Sequence, residues 1–217
     1  MNDSLRKELF GGRNLFDWGL LTLGVAVQIV VFALTGEAVL SLVSGIAGTV
    51  CVVLTGQRKV SSFAWGILQI VTYFILCWRQ RFYGEMVENA FYLATTVAGI
   101  VLWLRKYDPV KSEVRTEKLS PRGWLLWLGV FTVGTAAVAF ILSKTDDTQP
   151  LMDAGTTVPA FIAQILLVTR YREQWVFWMV VDGLSLVMWM IARDWCMVAQ
   201  YAFWLTVCLY GLKKWNN

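Results

Sequence analysis

The sequence has no histidine, and only 16% of its 217 residues are charged. The lack of histidine excludes histidine-based metal sites, general bases and proton relays. A soluble globular domain has about a quarter of its residues charged, so the low charge indicates a protein surrounded by lipid. The four cysteines lie inside apolar runs and show the spacing of neither a metal site nor a disulfide framework. We expect them to be small buried residues.

Several functional motifs are also absent from the sequence. There is no Walker motif or glycine-rich nucleotide loop, which argues against direct use of ATP. The last apolar run has no lysine that could hold retinal, and no nucleophile is paired with a base, which argues against a rhodopsin and an intramembrane enzyme. The basic residues are dispersed rather than gathered in one patch, which argues against nucleic-acid binding. We expect no catalytic residue, no metal ligand and no cofactor.

Long apolar runs dominate the chain, which is 57% hydrophobic. A helix needs about 20 mainly apolar residues to cross the hydrocarbon of a bilayer. Runs of about this length occupy 15–34, 38–54, 61–78, 84–104, 123–143, 151–169, 174–192 and 195–212. The sequence therefore predicts an all-α polytopic membrane protein with eight transmembrane helices.

Basic residues are distributed unevenly between alternate loops. The two termini and every second loop hold 15 of the 19 lysines and arginines. The other four are Arg79, Arg81, Lys144 and Arg193. Because cytoplasmic loops are enriched in basic residues, both termini are predicted to be cytoplasmic, and 105–122 is the one long cytoplasmic connection.

An internal repeat relates the third run to the seventh. Three aligned pairs lie 113 residues apart: Trp65 with Trp178, Gln69 with Asp182, and Thr72 with Ser185. One run further on, 90–92 matches 202–204 at a separation of 112. An odd-numbered repeat would insert inverted unless one extra helix separated the two copies. We predict two parallel three-helix repeats, 38–104 and 151–212, a linker helix at 123–143, and an extra N-terminal helix at 15–34.

Asp182 is the one ionisable residue in the run 174–192. A carboxylate at this depth in a membrane is costly, so such residues usually face an aqueous cavity, a partner or a ligand. Trp178 and Ser185 share its helical face, and tryptophan rings beside a carboxylate suit an aromatic cation. The alternative is a structural role, in which a protonated or arginine-paired Asp182 joins helices.

Other polar and aromatic residues extend this candidate site. Glu88 and Asn89 point about 100° apart on a helix, so only one of them is expected to face a cavity. The alternatives are interhelical hydrogen bonds for the polar groups and an aromatic belt for the tryptophans. The candidate substrate-binding residues are Trp178, Asp182, Gln69, Asn89, Glu88, Trp65, Ser185, Tyr92, Trp189, Gln200 and Trp204.

The second repeat, with "REQWVFWMVVDGLSLVMWM" and "YAFWLTVCLYGLKKW", resembles the bacterial Pnu-type vitamin transporters, and "RFYGEMVENAFY" resembles their first repeat. The resemblance runs from about residue 38 to the C-terminus. It implies a fold like that of the SWEET sugar transporters, an inner-membrane location, and facilitated diffusion with trapping by a cytoplasmic kinase. It also implies a ligand between the repeats, at Trp178, Asp182 and Asn89. Asn89 beside Glu88, and Gln200, depart from the family pattern.

The resemblance leaves several vitamins open. Nicotinamide riboside is favoured and thiamine is second, because both are cationic and suit the two candidate acids, Asp182 and Glu88. Riboflavin and nucleosides are neutral. A homo-oligomer is compatible with the sequence. The alternative from another class is a non-transporting membrane sensor or assembly factor, in which the polar groups only join helices.

The charge distribution generates a test of topology. Alkaline phosphatase fused after Asn217 should be inactive, because the enzyme matures only in the periplasm and the C-terminus is predicted to be cytoplasmic. The same reporter inserted at Lys144 should be active. An active C-terminal fusion would show that the predicted orientation is wrong.

Overall fold

The computed structural model describes residue 11 and residues 13–36, 38–80, 83–145, 149–193 and 195–216. Within these residues the chain forms eight α-helices and one short β-hairpin. In chain order the elements are α1 (Leu15–Thr35), α2 (Val39–Gly56), α3 (Ser62–Gln80), α4 (Tyr83–Leu104), β1 (Tyr107–Asp108), β2 (Glu113–Val114), α5 (Pro121–Leu142), α6 (Pro150–Val168), α7 (Gln174–Ala192) and α8 (Trp195–Lys214). The predicted all-α fold is confirmed, and each helix ends within two residues of its predicted bounds.

Six of these helices, α1 to α6, contain stretches long and apolar enough to cross a membrane. The corresponding apolar stretch of α7, Gln174–Met188, is shorter. Helices suit this environment because they satisfy their own backbone hydrogen bonds, for which hydrocarbon offers no partners. The protein is therefore a multi-pass membrane protein.

The helices form two compact units, Met1–Arg115 and Thr116–Asn217. In the first unit α1 packs against α2, α2 against α3, and α3 against α4. In the second unit α5 packs against α6, α6 against α7, and α7 against α8. Each helix thus packs on its neighbour in sequence, and the linker helix α5 packs on α6 as the extra helix α1 packs on α2.

The repeat is visible in the backbone of the two units. Helices α3 and α7 each have 19 residues, and their first residues lie 112 positions apart. The preceding turns match at the same spacing: Lys59 N–H donates to the Leu54 carbonyl as Tyr171 N–H donates to that of Leu166. The structural repeat distance of α3 and α7 is therefore 112 residues.

This distance corrects the alignment expected from the sequence. The spacing of 113 that paired Gln69 with Asp182 is wrong by one residue, because two continuous helices of equal length leave no place for an insertion. The residue equivalent to Asp182 is Ile70, and the residue equivalent to Trp178 is Gly66.

Each turn ends a helix with an arginine in the left-handed conformation, Arg58 at φ 58° and Arg170 at φ 68°. The turns are Schellman motifs, in which glycine is usual at this position because a side chain there costs about 1–2 kcal/mol. In both turns the arginine side chain forms an ion pair: Arg58 binds Glu113, and Arg170 Nη2 lies 2.8 Å from Glu117 Oε1. The ion pairs anchor the connection between α4 and α5 to both turns.

Backbone hydrogen bonds reinforce these anchors within each unit. In the first unit Val114 N–H donates to the Arg58 carbonyl at 3.0 Å. In the second unit Glu117 N–H donates to the Arg170 carbonyl at 2.8 Å. Lys59, which is 1% exposed, adds bonds from Nζ to the Ser112 carbonyl at 2.7 Å and the Gly11 carbonyl at 2.9 Å. The long predicted connection is thus an ordered segment.

Trp175 fixes the start of α7 against the end of α8. The ring is 1% exposed and lies directly on Gly211, where an added Cβ would come within 2.4 Å of it. The Trp175 ring also meets that of Trp215 edge to face, with centroids 5.8 Å apart. The equivalent residues of the first unit, Phe63 and Trp103, form the same kind of pair at 4.9 Å. This packing sets the register between α7 and α8.

Gly211→Ala should therefore destabilise the second unit. The new methyl group would overlap the Trp175 ring, and overpacking of this kind costs about 1–3 kcal/mol. The thermal unfolding midpoint of the purified protein in detergent is the measurement. The matched control is Gly183→Ala, because no atom lies within 4 Å of the added Cβ there. Equal midpoints for the two variants would contradict the packing described here.

Candidate functional site

Phe177 determines which face of α7 turns towards α5 and α6. Its ring stacks on Trp124 and meets Phe131 edge to face, with both centroid distances at 6.3 Å. Trp178 is half-buried and packs against the same cluster. The α6 members of this cluster are Ile162, Ala163 and Leu166. With this face held, Asp182 is directed towards α8.

Asp182 is 5% exposed, and its carboxylate accepts a hydrogen bond from Cys208 of α8. The Cys208 thiol, itself 2% exposed, donates to Asp182 Oδ2 with sulfur and oxygen 3.3 Å apart. A thiol is a weak donor, so this bond offsets only a small part of the cost of holding a charge away from water.

No lysine or arginine among the described residues forms an ion pair with Asp182. The arginine-paired acid that was the structural alternative is therefore not found in the described part of the chain. A carboxylate in low dielectric attracts a cation strongly, and Asp182 has only a thiol as its protein partner there. The arrangement suits a cationic ligand.

The other α7 candidates are Ser185 and Trp189. Ser185 is 7% exposed, so the face shared by Trp178, Asp182 and Ser185 is largely enclosed. The side chain of Trp189 lies outside the described residues.

The first unit contributes candidates on α3. Gln69 is half-buried and lies on Gly48 of α2, where an added Cβ would be 3.2 Å from its Cγ. Trp65 is 36% exposed. The buried Thr72 hydroxyl donates to backbone carbonyls of its own helix, those of Leu68 and Gln69. Gln69 is thus an α3 candidate that packs on a neighbouring helix.

On α4, Glu88 and Asn89 face different surroundings, as the helical geometry requires. Asn89 is 3% exposed, whereas Glu88 is half-buried and accepts a hydrogen bond from the Tyr92 hydroxyl at 2.6 Å. The structure therefore brings together two of the candidates, Glu88 and Tyr92, one turn apart on the same helix.

On α8, Gln200 and Trp204 are both half-buried. The Trp204 ring meets that of Tyr201 edge to face at 5.2 Å. Its indole Nε1 is buried and has no hydrogen-bond partner among the described residues. A donor of this kind can serve a polar group of a ligand.

Cys208 is the neighbour of Asp182 that the sequence did not indicate. Its partner lies 26 positions away on another helix, and a cysteine in an apolar run carries no motif. The available signal was depth, since Asp182 and Cys208 lie at similar distances from the turn between α7 and α8. Among the described residues, no cluster of three Cys, Asp or Glu side chains could hold a metal ion.

Comparisons with known proteins agree with this architecture. Residues 38–217 match the family model described as nicotinamide mononucleotide transporter. The nicotinamide riboside transporter PnuC of Neisseria mucosa is 31% identical, with 98% of this chain and 85% of the relative covered. That of Haemophilus influenzae is 32% identical, with 98% and 95% covered. The crystal structure of the vitamin B3 transporter PnuC aligns with a TM-score of 0.83 at 29% identity, covering 100% of this chain and 97% of that one. This chain therefore belongs to the nicotinamide mononucleotide transporter family.

Proposed function

We propose that this protein takes up nicotinamide riboside across the bacterial inner membrane by facilitated diffusion, and that a cytoplasmic kinase traps the substrate by phosphorylation. The observation that carries the proposal is Asp182, a buried carboxylate in an apolar helix whose only bonded partner among the described residues is the Cys208 thiol. Relatives named as nicotinamide riboside transporters align with 98% of the chain, which supports this substrate.

The chemistry of the ligand complements the α7 face. Nicotinamide riboside carries a positive pyridinium ring, which can pair with the Asp182 carboxylate and stack on the Trp178 indole one turn away. Charge pairing is strong in a low dielectric, so the ligand would offset the cost of burying the acid. Ser185, on the same face, can donate to or accept from a ribose hydroxyl.

The same carboxylate favours the riboside over its phosphorylated form. A phosphate adds up to two negative charges, which Asp182 would repel. Once a kinase has phosphorylated the substrate, the product should bind poorly and stay in the cytoplasm. The negative charge of the site is thus consistent with trapping of the substrate by phosphorylation.

The remaining candidates stay predictions as substrate contacts. They are Gln69, Asn89, Glu88, Trp65, Tyr92, Trp189, Gln200 and Trp204. Thiamine is the second candidate substrate, because its thiazolium ring is also cationic and would use Asp182 and Trp178 in the same way.

Calorimetric titration of the purified protein tests the role of Asp182. Asp182→Asn keeps the shape and an acceptor oxygen but removes the charge. Binding of nicotinamide riboside should weaken by about 1.5–3 kcal/mol, the scale of a charge-assisted hydrogen bond. Nicotinamide mononucleotide should bind wild type much more weakly than the riboside. Unchanged affinity in a folded Asp182→Asn variant would show that Asp182 is not part of the binding site. Tighter binding of thiamine than of nicotinamide riboside by wild type would make thiamine the favoured substrate.

Trp178 calls for a milder variant, because its ring also packs against the Phe177 cluster. Trp178→Phe keeps most of that packing, whereas Trp178→Ala removes both the packing and the stacking surface. We expect Trp178→Ala to lose at least as much affinity as Asp182→Asn and Trp178→Phe to lose less. Equal affinity of wild type, Trp178→Phe and Trp178→Ala for the ligand would show that the indole does not contact it.

Transport in liposomes tests facilitated diffusion. Labelled nicotinamide riboside should reach the same concentration inside and outside, with or without a pH gradient, when valinomycin and equal potassium hold the membrane potential at zero. The potential must be clamped because a cation would otherwise distribute with it. Protein-free liposomes are the control. Accumulation above the external concentration in response to the pH gradient alone would show proton coupling instead.

A further inference from the structure

The Asp182–Cys208 pair joins two helices of the second unit deep in an apolar environment. Both side chains are buried, at 5% and 2% exposure, and their hydrogen bond is the one contact between them that the structure defines. The bond involves Oδ2 of the carboxylate. No described residue donates to Oδ1.

The helix pair does not need this bond in order to pack. In the first unit α3 packs against α4, and the residues 112 positions earlier are Ile70 and Thr96. These are also buried, at 6% and 5% exposure, yet neither is an acid. The repeat therefore builds the same pair of helices without a carboxylate at this position. A feature that one copy has and the other lacks is better explained by the ligand than by the fold.

We propose that Cys208 is a positioning residue for substrate binding, whose thiol holds Asp182 Oδ2 so that Oδ1 is presented to the cationic ring. This role rests on the proposed binding of nicotinamide riboside at Asp182. The carboxylate turns about its terminal torsion, which has a broad energy profile, so one fixed oxygen reduces the freedom that ligand binding must remove. A weak donor suits this purpose because it orients the carboxylate without satisfying most of its charge.

The hydrogen bond can be tested without any ligand. The S–H stretching band of a thiol in the infrared spectrum shifts with the strength of its acceptor. Subtracting the spectrum of Cys208→Ser from that of wild type isolates the band of Cys208. We expect this band to move to higher frequency in Asp182→Asn, because a neutral amide oxygen is a weaker acceptor than a carboxylate. A band that does not move would overturn the proposal.

The effect on binding is measured by a double-mutant cycle in the intact protein, with nicotinamide riboside titrated calorimetrically. Cys208→Ala should weaken binding about three- to tenfold, the scale of one hydrogen bond, whereas Cys208→Ser, which keeps a donor, should stay within about threefold of wild type. In the Asp182→Asn background, Cys208→Ala should cause no further loss, because the residue through which Cys208 acts has lost its charge.

Two further comparisons separate positioning from packing. The side chains introduced by Cys208→Thr and Cys208→Val have nearly the same volume, but only the first can donate a hydrogen bond. The Cys208→Thr variant should therefore bind the ligand more tightly than the Cys208→Val variant. Cys51→Ser, on α2 of the first unit, is the control for thiol replacement and should bind as wild type does. These variants also decide the question if Cys208→Ala does not fold.

The outcomes distinguish this role from the proposed function. If Asp182→Asn weakens binding while Cys208→Ala matches wild type, or if the two losses add, Cys208 is only a packing residue and the proposed function stands. If wild type binds no nicotinamide riboside, the proposed function and the positioning role both fall, whatever the infrared band shows.

Discussion

Hydrocarbon offers no hydrogen-bond partners, and this constraint acts on the polar groups of the membrane-spanning helices. Backbone groups are satisfied inside helices, and several hydroxyls within the helices donate back to carbonyls of their own helix, as those of Thr72, Thr132 and Thr206 do. At the helix ends, the Schellman turns return the last backbone groups to the preceding helix. Asp182 departs from this rule, because a single thiol is a poor substitute for hydration. The proposed ligand site rests on this departure.

The two units are alike at their turns and different in their middles. The turns at Arg58 and Arg170 share backbone hydrogen bonds, left-handed arginines and acidic partners, and an edge-to-face aromatic pair lies beside each of them. In the middle of the helices the first unit has Ile70 where the second has Asp182. The shared ends preserve helix register, and the middle positions are then free to differ. The substrate chemistry proposed here lies in such a difference.

The helices were predictable because crossing a membrane requires a run of apolar residues of a nearly fixed length. Such a run is recognised from its length and composition, whatever the order of its residues. The repeat distance was harder. The structural equivalent of Trp65 is Phe177, which directly precedes Trp178, so matching the two tryptophans moved the alignment by one residue. The backbone hydrogen bonds of the turns, which a sequence does not display, give the correct spacing of 112.

The candidate site was predictable only in part. Asp182 was evident because one charge in an apolar run is conspicuous, and Trp178 and Ser185 followed from helical spacing. Cys208 could not be found in this way, since its role depends on a contact between two helices. The hairpin of β1 and β2 was missed for a related reason. Two strands of two residues each have no periodicity, and they exist because residues 107–114 are held against the Arg58 turn.

The segment between α4 and α5 belongs to the first unit up to Arg115 and to the second unit from Thr116 onwards. Arg115 N–H donates to the Lys106 carbonyl, and the Thr116 hydroxyl donates to the Trp215 carbonyl. In the first unit the partners of the Arg58 turn are all synthesised by the time Arg115 leaves the ribosome. The second unit is different, because Arg172 binds Asn216 and the Thr116 hydroxyl binds the Trp215 carbonyl, so residues before α5 and before α7 are joined to residues that follow α8. The first half can therefore form the contacts of its turn before the second unit is synthesised, whereas the contacts beside the turn of the second half need residues 215 and 216.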